Sequence, residues 1–98
     1  MTRRSRQAIL DDLTGLLRNF DGHEYSGIIG RGTRFFGDLR LASIDAVVLS
    51  EKLEQLYGRK LPFHQLLADL SRRGADDLEL GELIDFLDTH LNPPGQER

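Results

Sequence analysis

The chain is expected to be all-α, a small four-helix bundle with a long loop between its first and second helices. Three observations predict this. Apolar residues recur at helical steps of three and four in four separate segments, glycines crowd the stretch between the first two segments, and no segment alternates apolar and polar residues as a strand would. With 98 residues and 39% hydrophobic content, the chain suits one domain, 1–98, and leaves little room for a deep enclosed active site.

The first segment carries Ile9, Leu13, Leu16 and Phe20 on one side of a helix over about 5–19, with Asn19, Asp21 and Gly22 as stop and turn residues. From 21 to 42 the glycines suit neither helix nor strand, so an ordered loop is expected, pinned to the core by Ile28, Ile29, Phe35 and Phe36. Ala46, Leu49, Leu53 and Leu56 place a second helix at about 43–57, with Ser43 as its N-cap, Asp45 in the first turn and Gly58 past the end. Pro62 opens a short third helix at about 62–70 that presents Phe63, Leu66, Leu67 and Leu70 and ends before Gly74. Leu80, Leu83, Ile84, Leu87 and Leu91 define the fourth, about 80–91, and residues 92–98 read as a polar tail.

Composition narrows the function classes. There is no cysteine, hence no disulfide framework and no thiolate metal site, which fits a cytoplasmic protein. No run approaches the roughly 20 apolar residues of a membrane span, and the N-terminal stretch lacks the continuous apolar core of a signal peptide. The formal charge of -3 argues against nucleic acid as a partner. Arginines concentrate in residues 1–40, whereas 76–88 carry acidic residues alone. A helix-turn-helix made of 63–70 and 80–91 would present an acidic recognition helix, bearing Glu82, Asp85 and Asp88, to the phosphates. His23, His64 and His90 lack the spacing of a helical metal site, so no metal is expected. Neither a nucleophile elbow nor a dinucleotide fingerprint is present. The phenylalanines Phe35, Phe36, Phe63 and Phe86 read as core.

The informative stretch is Arg34-Phe-Phe-Gly-Asp-Leu-Arg-Leu-Ala-Ser-Ile-Asp-Ala-Val-Val-Leu49. It places a serine where a loop becomes an amphipathic helix, and it resembles the acyl carrier and peptidyl carrier proteins. Phe36, Asp38-Leu39, Ser43-Ile44 and Asp45 stand where that family has an aromatic, an acidic-leucine pair, and serine, leucine or isoleucine, aspartate. Leu53-Glu-Gln-Leu-Tyr-Gly58, Leu61-Pro-Phe63 and Leu80-Gly-Glu-Leu-Ile84 extend the likeness over most of residues 5–91.

The resemblance implies a free-standing monomeric carrier, not an enzyme, with 4'-phosphopantetheine from coenzyme A attached covalently to Ser43 by a separate phosphopantetheinyl transferase. It implies acyl- or aminoacyl-loading enzymes and downstream synthase or tailoring enzymes as partners, docking on Asp38, Ile44, Asp45, Glu51 and Glu54. Three positions depart from the family pattern: Ala42 for the aspartate before the serine, Arg40 for a common glycine, and Val48 for a glutamate of fatty-acid carriers. Acidic residues on the second helix steer carriers to basic partner surfaces, so these departures point to an altered partner set, in polyketide or nonribosomal metabolism. The alternative is a helical protein-interaction module with the same fold and no prosthetic group.

Overall fold

The computed structural model describes residues 4–20, 23–25 and 27–92. The chain is all-α, with four helices among the described residues: α1 Arg6–Arg18, α2 Ser43–Tyr57, α3 Phe63–Arg73 and α4 Leu80–Leu91. One small addition to the expected class is an antiparallel ladder of two residues on each side, pairing Asn19 with Glu24 and Phe20 with His23. It is too short for any alternating pattern to announce it. The expected turn residues Asp21 and Gly22, and residues 93–98 of the expected tail, lie outside the described residues. No described helix is long and apolar enough to cross a membrane.

Two compact units divide the chain, one of residues 1–33 with 79–98 and the other of residues 34–78. In the first unit α1 packs on α4. Ile9, Leu13 and Leu17 of α1 are buried, at steps of four. Leu17 replaces the expected Leu16 because the buried arc centres on Leu13, which leaves Leu16 at its edge and half-buried. Helix α4 is buried along Leu80, Leu83, Ile84 and Leu87 as expected, and Leu91 is half-buried. Gly81 is also buried: its N–H donates to the Arg31 carbonyl at 2.7 Å, and a Cβ there would sit 3.1 Å from that oxygen. A side chain there would need the Arg31 backbone to give by a few tenths of an ångström, so the close approach favours glycine.

The charge asymmetry of the sequence resolves within this unit. Arg6 pairs with Asp88 at 3.2 Å, Arg31 with Asp85 at 3.2 Å and Arg4 with Asp12 at 2.6 Å. These exposed pairs contribute little individually. Asn92 is no free tail residue, since its Oδ1 accepts from the Arg4 N–H at 2.9 Å and its Nδ2 donates to the Arg4 carbonyl at 2.6 Å. Two hydrogen bonds thus tie the end of α4 to the start of the chain.

The second unit holds α2 and α3. Both end on a glycine in the left-handed conformation, Gly58 at φ 67° and Gly74 at φ 68°. The carbonyls of the last turns are met by Arg59 N–H to Glu54, 3.2 Å, and Ala75 N–H to Leu70, 2.9 Å. Helix α3 begins one residue after the expected Pro62 and runs to Arg73, beyond the expected end at 70. Its stop signal is Gly74 and not the last apolar residue, because Ser71, Arg72 and Arg73 continue the helix without needing to be buried.

Burial corrects several expectations. On α2 Leu49 and Leu53 are buried but Leu56 is exposed; on α3 only Leu70 is buried and Leu67 is exposed. In the long loop Ile29 and Phe35 are buried, whereas Ile28 is 91% exposed and does not pin the segment. Phe36, Phe63 and Phe86 are half-buried, so Phe35 alone of the four phenylalanines expected in the core is fully enclosed.

Candidate functional site

The approach to Ser43 is a folded turn. Arg34 donates its backbone N–H to Asp38 Oδ2 at 2.8 Å, and the Arg34 carbonyl accepts from the N–H groups of Asp38 and Leu39, both at 3.0 Å. The Phe35 carbonyl accepts from Leu41 N–H, and Phe35 N–H donates to the Leu78 carbonyl at 2.8 Å. Asp77 then clamps the turn from forty residues away. Its Oδ1 accepts from Phe36 N–H at 2.9 Å and Leu78 N–H at 2.8 Å, and its Oδ2 from Gly37 N–H at 2.8 Å. A carboxylate bound by three backbone donors is the main polar fastening of this segment. No local sequence pattern revealed Asp77, because its partners are remote in the chain.

Leu39 and Leu41 are both buried, and the exposed Arg40 between them has φ 58°. Burying both neighbours while turning into α2 puts Arg40 in the left-handed region, where a non-glycine residue is disfavoured by roughly 1–2 kcal/mol. Arg40→Gly is therefore expected to raise stability by about 0.5–1 kcal/mol, the relief of strain being partly offset by a more flexible unfolded chain. Urea denaturation checks this, and a loss of stability would contradict it.

Ser43 is the first residue of α2, and Ala42 occupies the N-cap with extended backbone. This corrects the expectation that Ser43 caps the helix. The cap works through Asp45 instead: its Oδ2 accepts from the Ala42 N–H at 2.8 Å, while its own N–H donates to the Ala42 carbonyl at 3.0 Å. Ser43 is exposed, and no hydrogen bond among the described residues engages its hydroxyl. The serine is thus free for chemistry that a capping serine would hinder. Asp45→Ala removes the acceptor and is expected to cost about 1 kcal/mol in chemical denaturation, with Asp45→Asn retaining part of it.

The residues expected on a docking surface separate in the structure. Ile44 is 66% exposed and Val47 48% exposed, one turn apart beside Ser43, and the exposed Glu51 follows Val47 one turn further on. Asp45 is buried at 7% exposure and spent on the cap, so it is not a surface charge. Glu54 is half-buried, and its Oε2 accepts from the Leu61 N–H at 2.8 Å. Asp38 is exposed but matched by Arg34, whose backbone N–H and, secondarily, guanidinium outweigh desolvation and hold the Asp38 carboxyl below the usual carboxylate range. That stabilising contribution is full above the ordinary carboxylate pKa and fades as pH falls through the lowered one. Val47 was not expected at the surface, because the apolar period of α2 hides which apolar residues remain uncovered.

Among the described residues no group of three or more His, Asp or Glu side chains is placed to hold a metal ion. An open depression lined by Glu51, Glu54, Gln55, Gly58, Arg59 and Lys60 lies towards the end of α2 remote from Ser43. Comparison of the chain with known protein families, with curated proteins and with solved structures returns no match.

Proposed function

We propose that the chain is a carrier protein whose Ser43 bears a 4'-phosphopantetheine arm. The observation that carries this reading is the exposed Ser43 hydroxyl, unengaged among the described residues, on the first residue of a 15-residue helix and beside the uncovered side chains of Ile44 and Val47. The residue fits the group. The hydroxyl is reachable by a second protein, and the unpaired amides and dipole at the α2 N-terminus favour the negative charge of a phosphodiester.

Attachment needs no base on this chain. The Ser43 oxygen attacks the coenzyme A pyrophosphate, the phosphoanhydride bond breaks, and adenosine 3',5'-bisphosphate leaves. The transferase takes the hydroxyl proton and supplies the Mg²⁺ that stabilises the developing charge. The arm's thiol carries acyl or aminoacyl groups as thioesters, which is why a chain without cysteine can serve. The rest of the chain positions the serine. Asp77 and Phe35 fasten the turn before it, Asp45 caps α2 from inside, and Ile44, Val47 and Glu51 offer contacts to transferase, loading enzyme and downstream synthase or tailoring enzymes. Polyketide or nonribosomal assembly is favoured over fatty-acid synthesis, because Ala42 and Val48 remove acidic groups from the face that fatty-acid enzymes meet.

Incubation with acetyl-coenzyme A and a permissive phosphopantetheinyl transferase tests the carrier role. An acetyl group that appears on the native chain, is released by neutral hydroxylamine, and is absent from Ser43→Ala supports it. Failure to load with several transferases leaves the alternative, a protein-interaction module presenting Ile44 and Val47 without an arm.

A further inference from the structure

On the carrier reading, which this requires, we infer that the arm on Ser43 lies along the outward side of α2 and seats its loaded end in the depression beyond Glu51, and that the group this depression seats best is aminoacyl. The helix sets the path. Val47, Glu51, Glu54 and Gly58 follow Ser43 at four, eight, eleven and fifteen residues, and at about 3.6 residues per turn all four lie within a quarter turn of its direction. Val47, Glu51 and Gly58 are exposed and Glu54 is half-buried, so this side of α2 is open to solvent from the serine to the depression.

Lengths agree along that path. Phosphopantetheine places its dimethyl-substituted carbon about four bonds from the serine oxygen, roughly 5 Å when extended, and its sulfur about fourteen bonds away, roughly 16 Å. At about 1.5 Å per residue, Val47 stands about 6 Å along the axis from Ser43, Glu51 about 12 Å and Gly58 about 22 Å. The apolar branch of the arm therefore falls at Val47, whose side chain is 48% exposed. The thioester falls within the depression, which runs from Glu51 to beyond Gly58.

The depression is lined by two carboxylates, Glu51 and Glu54, and two cations, Arg59 and Lys60, so its charges balance. Lys52 points half a turn away from Ser43 and is not part of the lining. Glu54 is already bonded to the Leu61 N–H. Glu51 and Lys60 are exposed, and no hydrogen bond or ion pair among the described residues involves either. An unpaired carboxylate and an unpaired ammonium at one place complement a group that carries a cationic donor next to an acceptor. An α-aminoacyl thioester is such a group, with its ammonium for Glu51 and its carbonyl oxygen for Lys60. A simple acyl thioester offers the carbonyl alone, and no aliphatic or aromatic residue lines the depression to receive its hydrocarbon. Each exposed contact is worth little, but the tether holds the group at an effective concentration on the order of millimolar, where weak contacts are populated.

The test uses the full ¹⁵N-labelled chain, loaded by a permissive phosphopantetheinyl transferase with two coenzyme A analogues in which an amide replaces the thioester. One carries a glycyl group and the other a propionyl group, equal in size and differing in ammonium against methyl. Intact mass confirms complete loading before spectra are compared. Relative to the unmodified chain, both arms should shift the Val47 amide. The glycyl arm should shift the Glu51, Glu54 and Gln55 amides roughly two- to five-fold more than the propionyl arm, the preference an exposed ion pair gives. Added salt and Glu51→Gln should each reduce that difference while the Val47 shift remains. Shifts confined to the residues flanking Ser43, equal shifts from the two arms, or a glycyl preference undiminished in Glu51→Gln would overturn the inference and leave the carrier reading. A chain that no transferase loads removes the carrier reading and this inference with it.

Discussion

Phe35→Ala lowers the unfolding free energy by about 4 kcal/mol, within the range for truncating an enclosed aromatic side chain. The ring of Phe35 is 0% exposed, so the substitution loses the transfer free energy of the ring and leaves a cavity that its surroundings fill only in part. Its edge-to-face contact with Phe36, centroids 5.1 Å apart at 89°, is lost as well. Because the backbone of Phe35 bonds to Leu78 and Leu41, the loss falls on the turn that delivers the chain to α2. Urea or thermal unfolding measures the effect. A loss below about 1.5 kcal/mol would show that the site collapses readily and that Phe35 is no anchor.

Asp77→Ala is expected to cost about 2–3 kcal/mol, because a charged acceptor for three backbone N–H groups disappears at once. Gly37 is exposed, so its N–H can turn to water, whereas the Phe36 and Leu78 bonds are partly buried and their donors are less easily re-solvated. For a chain of 98 residues a loss of this size lowers the melting temperature by roughly 10 °C or more. Asp77→Asn keeps an acceptor oxygen and should cost distinctly less. If both variants melt with the native chain, water replaces the clamp and the turn is held by packing alone.

How much of this was legible in the sequence depends on the range of the interactions. The bounds expected for α2 and α4 match the structure because apolar spacing and flanking stop signals are both local there: Gly58 after Tyr57, and Asn92 after Leu91. The end of α3 was misplaced because Leu70 closes the apolar face while the helix continues to the residue before Gly74. The position of Ser43 at a helix start was legible. That Ala42 would take the cap was not, since alanine has no capping side chain and the work passes to Asp45. Least legible was the fate of the charges. Asp45 and Glu51 read alike in a charge count, yet one is buried on a cap and the other exposed. The roles of Asp77 and Arg40 depend, respectively, on contacts forty residues apart and on one backbone angle.

The measurement that tests the central claim most directly is the intact mass of the purified chain after incubation with coenzyme A and a permissive phosphopantetheinyl transferase, followed by fragmentation to locate the added group. The account predicts a single phosphopantetheine gain, on Ser43, absent from Ser43→Ala. The exposed hydroxyl is the only feature of that residue the modification needs, so the alanine chain should keep its fold and its melting temperature. A native chain that stays at its unmodified mass with several transferases, or that takes the group at another serine, would contradict the assignment of Ser43 as the attachment site.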